Sequence, residues 1–523
     1  MTTRRPVTAA LRLSSETLAR LQRPGTAVEL PLLTADELSL GIVHFGIGAF
    51  HRAHQAVYTE RAAAAEGETH WGILGVTGRT DAVALQLQPQ DCLYGVLEKS
   101  ASDTRLQLVS SVRDVAWPRR DSEQVVATLA ASTTHLATLT ITEKGYLRAP
   151  DGRIDLSLPA VVHDLALIDA ELSGAALESG ADGGGAASQT PIGLLVRGLA
   201  RRHRNGVGAF SVVSCDNMVD NGGVTRRLVE SLAAALPAGA EAAAFRRWLA
   251  ASVTFPSTMV DRIAPATTDA DRAEALELLG LQDDALVVAE PFSQWVIEDD
   301  FAGPRPAWQK AGAILTEDVA PYEMVKLRTL NATHSLLAWL GALSGHRTIA
   351  SAVGDERLRA LAVGVIDDDI LPTLTAPAGI DLAEYRDSVL ERFANPSLAH
   401  TTAQVAMDGS QKLPVRILGT VADRLAAGAT PRGLALVVAA WIGYVAASTA
   451  PGGHTLDDPI AAQLQSTVGS ETELREHPDA VVGRMLALPA VFPAEVGDSL
   501  AFREAVVAQL VTVQQLTGSR ATG

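Results

Sequence analysis

The sequence predicts an α/β protein: an N-terminal doubly wound parallel sheet over residues 1–310, then a mainly α-helical C-terminal domain over 311–523. Three observations carry this. An apolar run beginning at Leu40 passes through a Gly-x-Gly turn directly into a helical pattern. Apolar strands then alternate with helices through the first half of the chain, the mark of a parallel sheet covered on both faces. From Pro321 onward the apolar spacing is almost everywhere helical. A length of 523 residues exceeds one comfortable core, so two large domains are expected.

Composition narrows the partners. A net charge of −17 argues against a general nucleic-acid or anionic-membrane partner. Two cysteines, Cys92 and Cys215, are too few for a disulfide framework, and neither lies in a metal-type cluster. The N-terminal MTTRRPVTAALRLSS has no apolar signal core, and no stretch is long and apolar enough to span a membrane. These features predict a cytoplasmic protein of a reducing compartment.

Residues 1–38 read as an arm with one short helix, followed by LGIVHFGIGAFHRAHQAVYTERAAAA from Leu40. Strand, glycine turn and helix in that order are the context a dinucleotide site requires, as in Rossmann-type domains. Gly46 permits the tight turn and Gly48 lets the backbone approach a pyrophosphate. Ile47, Ala49 and Phe50 complete the turn, and His51 replaces the third small residue of the usual fingerprint. An ordinary strand–helix turn is the plainer alternative.

A second strand, Trp71 to Thr77, leads to Gly78, Arg79, Thr80 and Asp81. An acid there favours NAD and an Arg can hold the extra phosphate of NADP, so Arg79 and Asp81 leave the choice open. Strands follow at Leu106–Val112, at His135–Thr142 and at Gly208–Cys215, the last delivering Asp216 and Asn217 at its C-terminal end, where ligands of open α/β sheets gather. Equally, Asn217 could cap the next helix. Residues 172–190, rich in Gly, Ala and Ser, read as a flexible insertion inside the first domain. Asp261 and Arg262 read by default as a salt-bridged loop.

The second domain opens with PYEMVKLRTLNATHSLLAWLG from Pro321, read as one continuous helix capped by Asp318. Glu323, Lys326, Leu330, His334 and Leu337 share a stripe roughly 80° wide, with Asn331 at its edge. Polar residues on so apolar a helix need partners. Only five of the 43 basic residues are lysines: Lys99, Lys144, Lys310, Lys326 and Lys412. A lysine, unlike an arginine, can release its proton and act as a base. A simple Glu323–Lys326 ion pair is the plainer reading. Helices are expected at Ile349–Leu371, Leu382–Phe393, Leu434–Ala447 and Leu500–Leu516. A turn at Asp408-Gly-Ser410 presents Lys412.

Taken together, GIVHFGIGAFHRAHQAVYTE, TITEKGY, SVVSCDN, TMVDRI, EPFSQWVIED, PYEMVKLRTLNATH and MDGSQKLPVR resemble the mannitol dehydrogenase family of polyol-specific long-chain dehydrogenases, over roughly residues 40–520. The resemblance implies an oxidoreductase that moves hydride between a secondary alcohol and a nicotinamide cofactor without a metal. It implies Lys326 as general base, Asn217 and Asn331 as amides steadying the oxyanion, His334 positioning substrate and Glu323 linking the lysine to solvent. It further implies Asp261 and Lys412 as substrate contacts, a sugar acid or polyol as substrate, NAD as cofactor and a monomer. Gln404 stands where polyol-oxidising members carry an Arg, as in members acting on sugar acids.

Overall fold

The computed structural model describes residues 10–21, 27–175, 187–398 and 400–518. The chain divides into two compact units, Met1–Ala320 and Pro321–Gly523.

The first unit is built on six parallel strands: β1 Leu40–Phe45, β2 Gly72–Val76, β3 Val112–Ala116, β4 Leu136–Leu139, β5 Phe210–Ser214 and β6 Val253–Thr254. They lie side by side in the order β3-β2-β1-β4-β5-β6, so the order reverses between β1 and β4. That crevice is where doubly wound sheets bind their ligands. Strands β2, β4 and β5 are buried along their whole length, as strands covered on both faces are. Val43 and Phe45 join the core under helices Pro118–Ala130 and Pro191–Arg204, while Ile42 joins the opposite core. Residues 176–186 of the expected insertion lie outside the described residues.

The stretch expected to be one strand at Leu106–Val112 is two. Thr104–Val109 pairs antiparallel with Tyr94–Lys99 in a separate four-stranded sheet, and β3 begins at Val112. Ser110 and Ser111 divide them because both donate backbone N–H groups to the buried Glu60 carboxylate. A third sheet contains β7 Thr258–Asp261, β8 Gln294–Glu298 and β9 Ile314–Thr316. Helices α1 Ala49–Ala53 and α2 Gln55–Glu66 follow β1, α3 Ala82–Leu87 follows β2, and α4 Asn221–Ala234 follows β5.

The second unit is helical. The helix Arg432–Ala447 is buried nearly all round and packs on Leu500–Gly518 and Ala332–Leu343, as its lack of a polar face requires. Three segments widen into π-helix: Lys326–Asn331, Ile366–Ile370 and Pro414–Leu418. The first packs against the other two. Such turns are rare and concentrate at functional sites.

Candidate active site

In the first unit, Gly46 ends β1 at φ 95°, and a Cβ there would lie 2.1 Å from the Thr140 carbonyl oxygen. The turn therefore requires glycine. Gly48 precedes α1 in extended geometry, and a Cβ on it would meet only the Gly46 carbonyl oxygen, at 3.8 Å. The backbone there is open to close approach, which fits a dinucleotide pyrophosphate.

The side chains of the turn do other work. Ile47 fills the space above Gly75 of β2, and Phe50 stacks on His54 with ring centroids 5.0 Å apart. Ala49 contributes the first residue of α1. The His51 ring lies 3.3 Å from that of His44, within 12° of parallel, and neither of its nitrogens has a hydrogen-bond partner. Burial, then His44 and Arg52, push its pKa well below the ordinary value. The His51 side chain packs on β1 through this stack, while its backbone remains part of the glycine turn. Arg52 is likewise engaged, donating to the Gly48 and Ala285 carbonyls. Beyond β2, Arg79 is exposed, and the half-buried Asp81 precedes α3 without capping it through its side chain.

Asn217 stands exposed on the bend after β5. It is not the helix cap: that is Asp220, whose carboxylate accepts from Gly223 N at 3.2 Å. Asp261 is buried on β7, opposite Gln294 of β8, rather than in a loop. Arg262 is not its ion partner. The guanidinium reaches Glu98 at 2.5 Å and the Glu290 carbonyl at 2.8 Å, because β7 points successive side chains to opposite faces.

At the end of the first unit, Asp318 accepts from Ala320 N at 2.9 Å, holding the start of the helix that leads into the second. The expected continuous helix is interrupted. Helix α5 Ala320–Val325 gives way to the π turn Lys326–Asn331, and α6 Ala332–Leu343 continues from it. In an α-helix, residues five apart face different sides; a π turn bonds i to i+5 and brings them nearer to one side. The wide turn therefore swings Asn331 toward the Lys326 side of the helix, where the α-helical stripe leaves it at the edge. Lys326 is 8 % and Asn331 6 % exposed, and Glu323 one turn earlier is half-buried. Arg416, on the π segment Pro414–Leu418, donates to the Asn331 carbonyl at 3.4 Å and to Ser335 Oγ at 3.2 Å.

His334 follows on α6, with its ring against those of Phe393 at 4.6 Å and His400 at 5.4 Å. Its Nε2 is buried without a hydrogen-bond partner. Burial, then nearby His400, Arg416, Lys412 and Arg392, push its pKa well below the ordinary value. The ring is thus neutral in a cationic setting that suits an anion. Lys412 is half-buried rather than freely accessible, and donates to the Val405 carbonyl at 2.9 Å. Gln404 is exposed and works in a capping box, its Oε1 accepting from Thr401 Oγ1 at 3.0 Å. No cluster of three or more His, Cys, Asp or Glu side chains among the described residues could hold a metal, and no helix there is long and apolar enough to cross a membrane.

Sequence reasoning missed His400, Arg392, Asn221 and the π turn. His400 and Arg392 are isolated in sequence and meet His334 only through the fold. Asn221 reads as part of a turn, and nothing in KLRTLN marks a widened helix.

Comparison with known proteins supplies the class. Residues 40–310 match the mannitol dehydrogenase Rossmann domain, and residues 318–514 match the mannitol dehydrogenase C-terminal domain. The chain is 38% identical to a D-mannonate oxidoreductase of Escherichia coli (strain K12), over 92% of this chain and 94% of that protein. It is 34% identical to a mannitol 2-dehydrogenase of Pyrenophora tritici-repentis, over 88% of this chain and 78% of the relative. A solved ternary complex of Pseudomonas fluorescens mannitol 2-dehydrogenase with NAD and D-mannitol matches with a TM-score of 0.81 and 32% identity, covering 97% of this chain and 99% of that one. The chain is thus an oxidoreductase of secondary alcohols with a nucleotide-binding Rossmann domain. It belongs to the mannitol dehydrogenase family.

Proposed function

We propose that this protein interconverts D-mannonate and D-fructuronate with NAD(H), using Lys326 as a metal-independent general base. The observation that carries the reading is the π turn Lys326–Asn331, with both end residues buried and His334 and its cationic neighbours following directly. Residues 46–49 hold the dinucleotide through their backbone, and the cofactor supplies hydride acceptance or donation. Asp81 favours NAD(H), its carboxylate opposing a 2′-phosphate and outweighing Arg79, which could hold one.

In oxidation, the neutral Lys326 amine takes the proton of the substrate hydroxyl as hydride leaves the same carbon, so carbonyl, ammonium and reduced cofactor balance alcohol, amine and oxidised cofactor. Asn217 and Asn331 donate to the oxygen as it gathers negative charge, a role for fixed donors. Glu323 passes the proton from the lysine toward solvent, and His334 and Asp261 orient the chain of hydroxyls. Lys412 reads the substrate carboxylate through a charge-assisted hydrogen bond worth roughly 1.5–3 kcal/mol. Gln404, neutral and tied into its capping box, presents no competing charge.

A panel of keto-sugars and keto-acids with NADH and NADPH tests this. D-Fructuronate is expected to exceed D-fructose in kcat/KM by about 10- to 100-fold, because each 1.4 kcal/mol is tenfold. Lys412→Met is expected to lose most of that preference. Equal reduction of fructose assigns the protein to polyol substrates instead, and a faster tagaturonate reaction assigns it to the altronate pair.

A further inference from the structure

Asn217 lies on a bend with no regular structure, yet its proposed task demands a donor held still. What holds the bend is Asn221, the first residue of α4. Its side chain is wholly buried, and both amide hydrogens and the amide oxygen are engaged. Nδ2 donates to the Asp216 carbonyl at 3.0 Å and to the Thr258 carbonyl at 2.8 Å, while Oδ1 accepts from Thr258 N at 2.9 Å. One amide thus clasps both ends of a backbone unit on β7 and the residue before Asn217 on β5's exit.

The surroundings tighten the clasp. Thr258 Oγ1 donates to the Ser214 carbonyl at 2.7 Å, joining β7 to the end of β5. The Asp216 carboxylate accepts from Ile141 N, Thr142 N and the Tyr146 hydroxyl, tying the bend to the exit of β4. A Cβ on Gly222 would lie 2.4 Å from the Phe255 carbonyl oxygen, so α4 sits hard against the segment entering β7. From Thr258, β7 runs three residues to Asp261.

We propose that Asn221 is a positioning residue that fixes Asn217 and Asp261 relative to one another, coupling the oxyanion donor to the substrate-orienting carboxylate. The proposal rests on the roles assigned to those two residues above. Asn221→Asp preserves size and the acceptor for Thr258 N, but turns the two-carbonyl donor into a third acceptor. The bend is then released without a cavity. A shift near 1 Å at a reacting group lowers turnover by as much as about 10²-fold.

The test is a double-mutant cycle on the full-length enzyme, with the best keto-substrate of the panel and NADH. Asn221→Asp, and Asn221→Ala should the charged variant not fold, are expected to lower kcat by about 10- to 100-fold and to raise KM, with NADH affinity unchanged. In an Asn217→Ala background the same substitutions are expected to lower kcat by less than about threefold, while the KM rise persists through Asp261. Equal kcat losses in both backgrounds, or no loss in the Asn221 variants, overturn the proposal while leaving the role of Asn217 standing. An Asn217→Ala enzyme with unchanged kcat overturns the role of Asn217, and this proposal with it.

Discussion

Two turns shape this chain, and they are held by different means. The turn after β1 is set by its own residues: Gly46 at φ 95° adopts a backbone that a Cβ would forbid, against the Thr140 carbonyl. The π turn at Lys326–Asn331 contains no glycine and no proline. It is held from elsewhere in its unit, by the neighbouring π segments and by Arg416 donating to the Asn331 carbonyl. The first geometry is a local property of sequence; the second belongs to the tertiary fold. Distant substitutions should therefore leave the glycine turn intact and disturb the π turn.

Gly46→Ala attacks the local turn and is expected to affect it more than any distant substitution. The left-handed backbone costs about 1–2 kcal/mol with a Cβ, before the contact with Thr140 is relieved. NADH titration is expected to show affinity weakened at least about tenfold. Unchanged affinity would place the dinucleotide elsewhere.

Arg416→Met attacks the π turn from 85 residues away in sequence. Loss of a charged donor to a half-buried carbonyl is expected to lower kcat about tenfold at little change in KM, since a hydrogen bond to a charged group is worth roughly 1.5–3 kcal/mol. A raised KM with intact kcat would make Arg416 a direct substrate contact instead.

A further effect concerns pH and leaves both turns in place. His44 lies between Thr138 Oγ1 at 2.7 Å and Thr140 Oγ1 at 2.9 Å, and burial lowers its pKa to about 3. A depressed histidine stabilises the fold fully above its unfolded pKa of about 6.5, and that contribution is lost as pH falls toward the folded value. The urea-unfolding free energy of wild type is expected to fall by up to about 1.4 kcal/mol per pH unit more than that of His44→Gln between about pH 6 and 4. Parallel curves would show that the His44–His51 stack accepts a proton without strain.

The same contrast explains what could be read in advance. The parallel doubly wound sheet, the glycine turn and the helical second unit were legible because apolar periodicity and missing side chains leave marks in sequence. The polar row Glu323, Lys326, Asn331 and His334 was legible as residue types, but its arrangement was not, since a widened turn needs no special residue. Lys412 shows the converse. Its Gly-Ser turn suggested an accessible amine, but the short helix Gly409–Leu413 brings it to the Val405 carbonyl. The stack of His51 on His44, two residues before Gly46, likewise left no mark in the sequence.

The central claim is that Lys326, on the π turn, is the base. Turnover of Lys326→Arg, measured beside Lys326→Ala with NADH bound to the same extent, tests it most directly. An arginine keeps the charge but cannot release a proton near neutral pH, so both variants are expected to lose at least the roughly 10²–10⁴-fold that general-base catalysis supplies. A Lys326→Arg enzyme turning over near the wild-type rate would contradict the account.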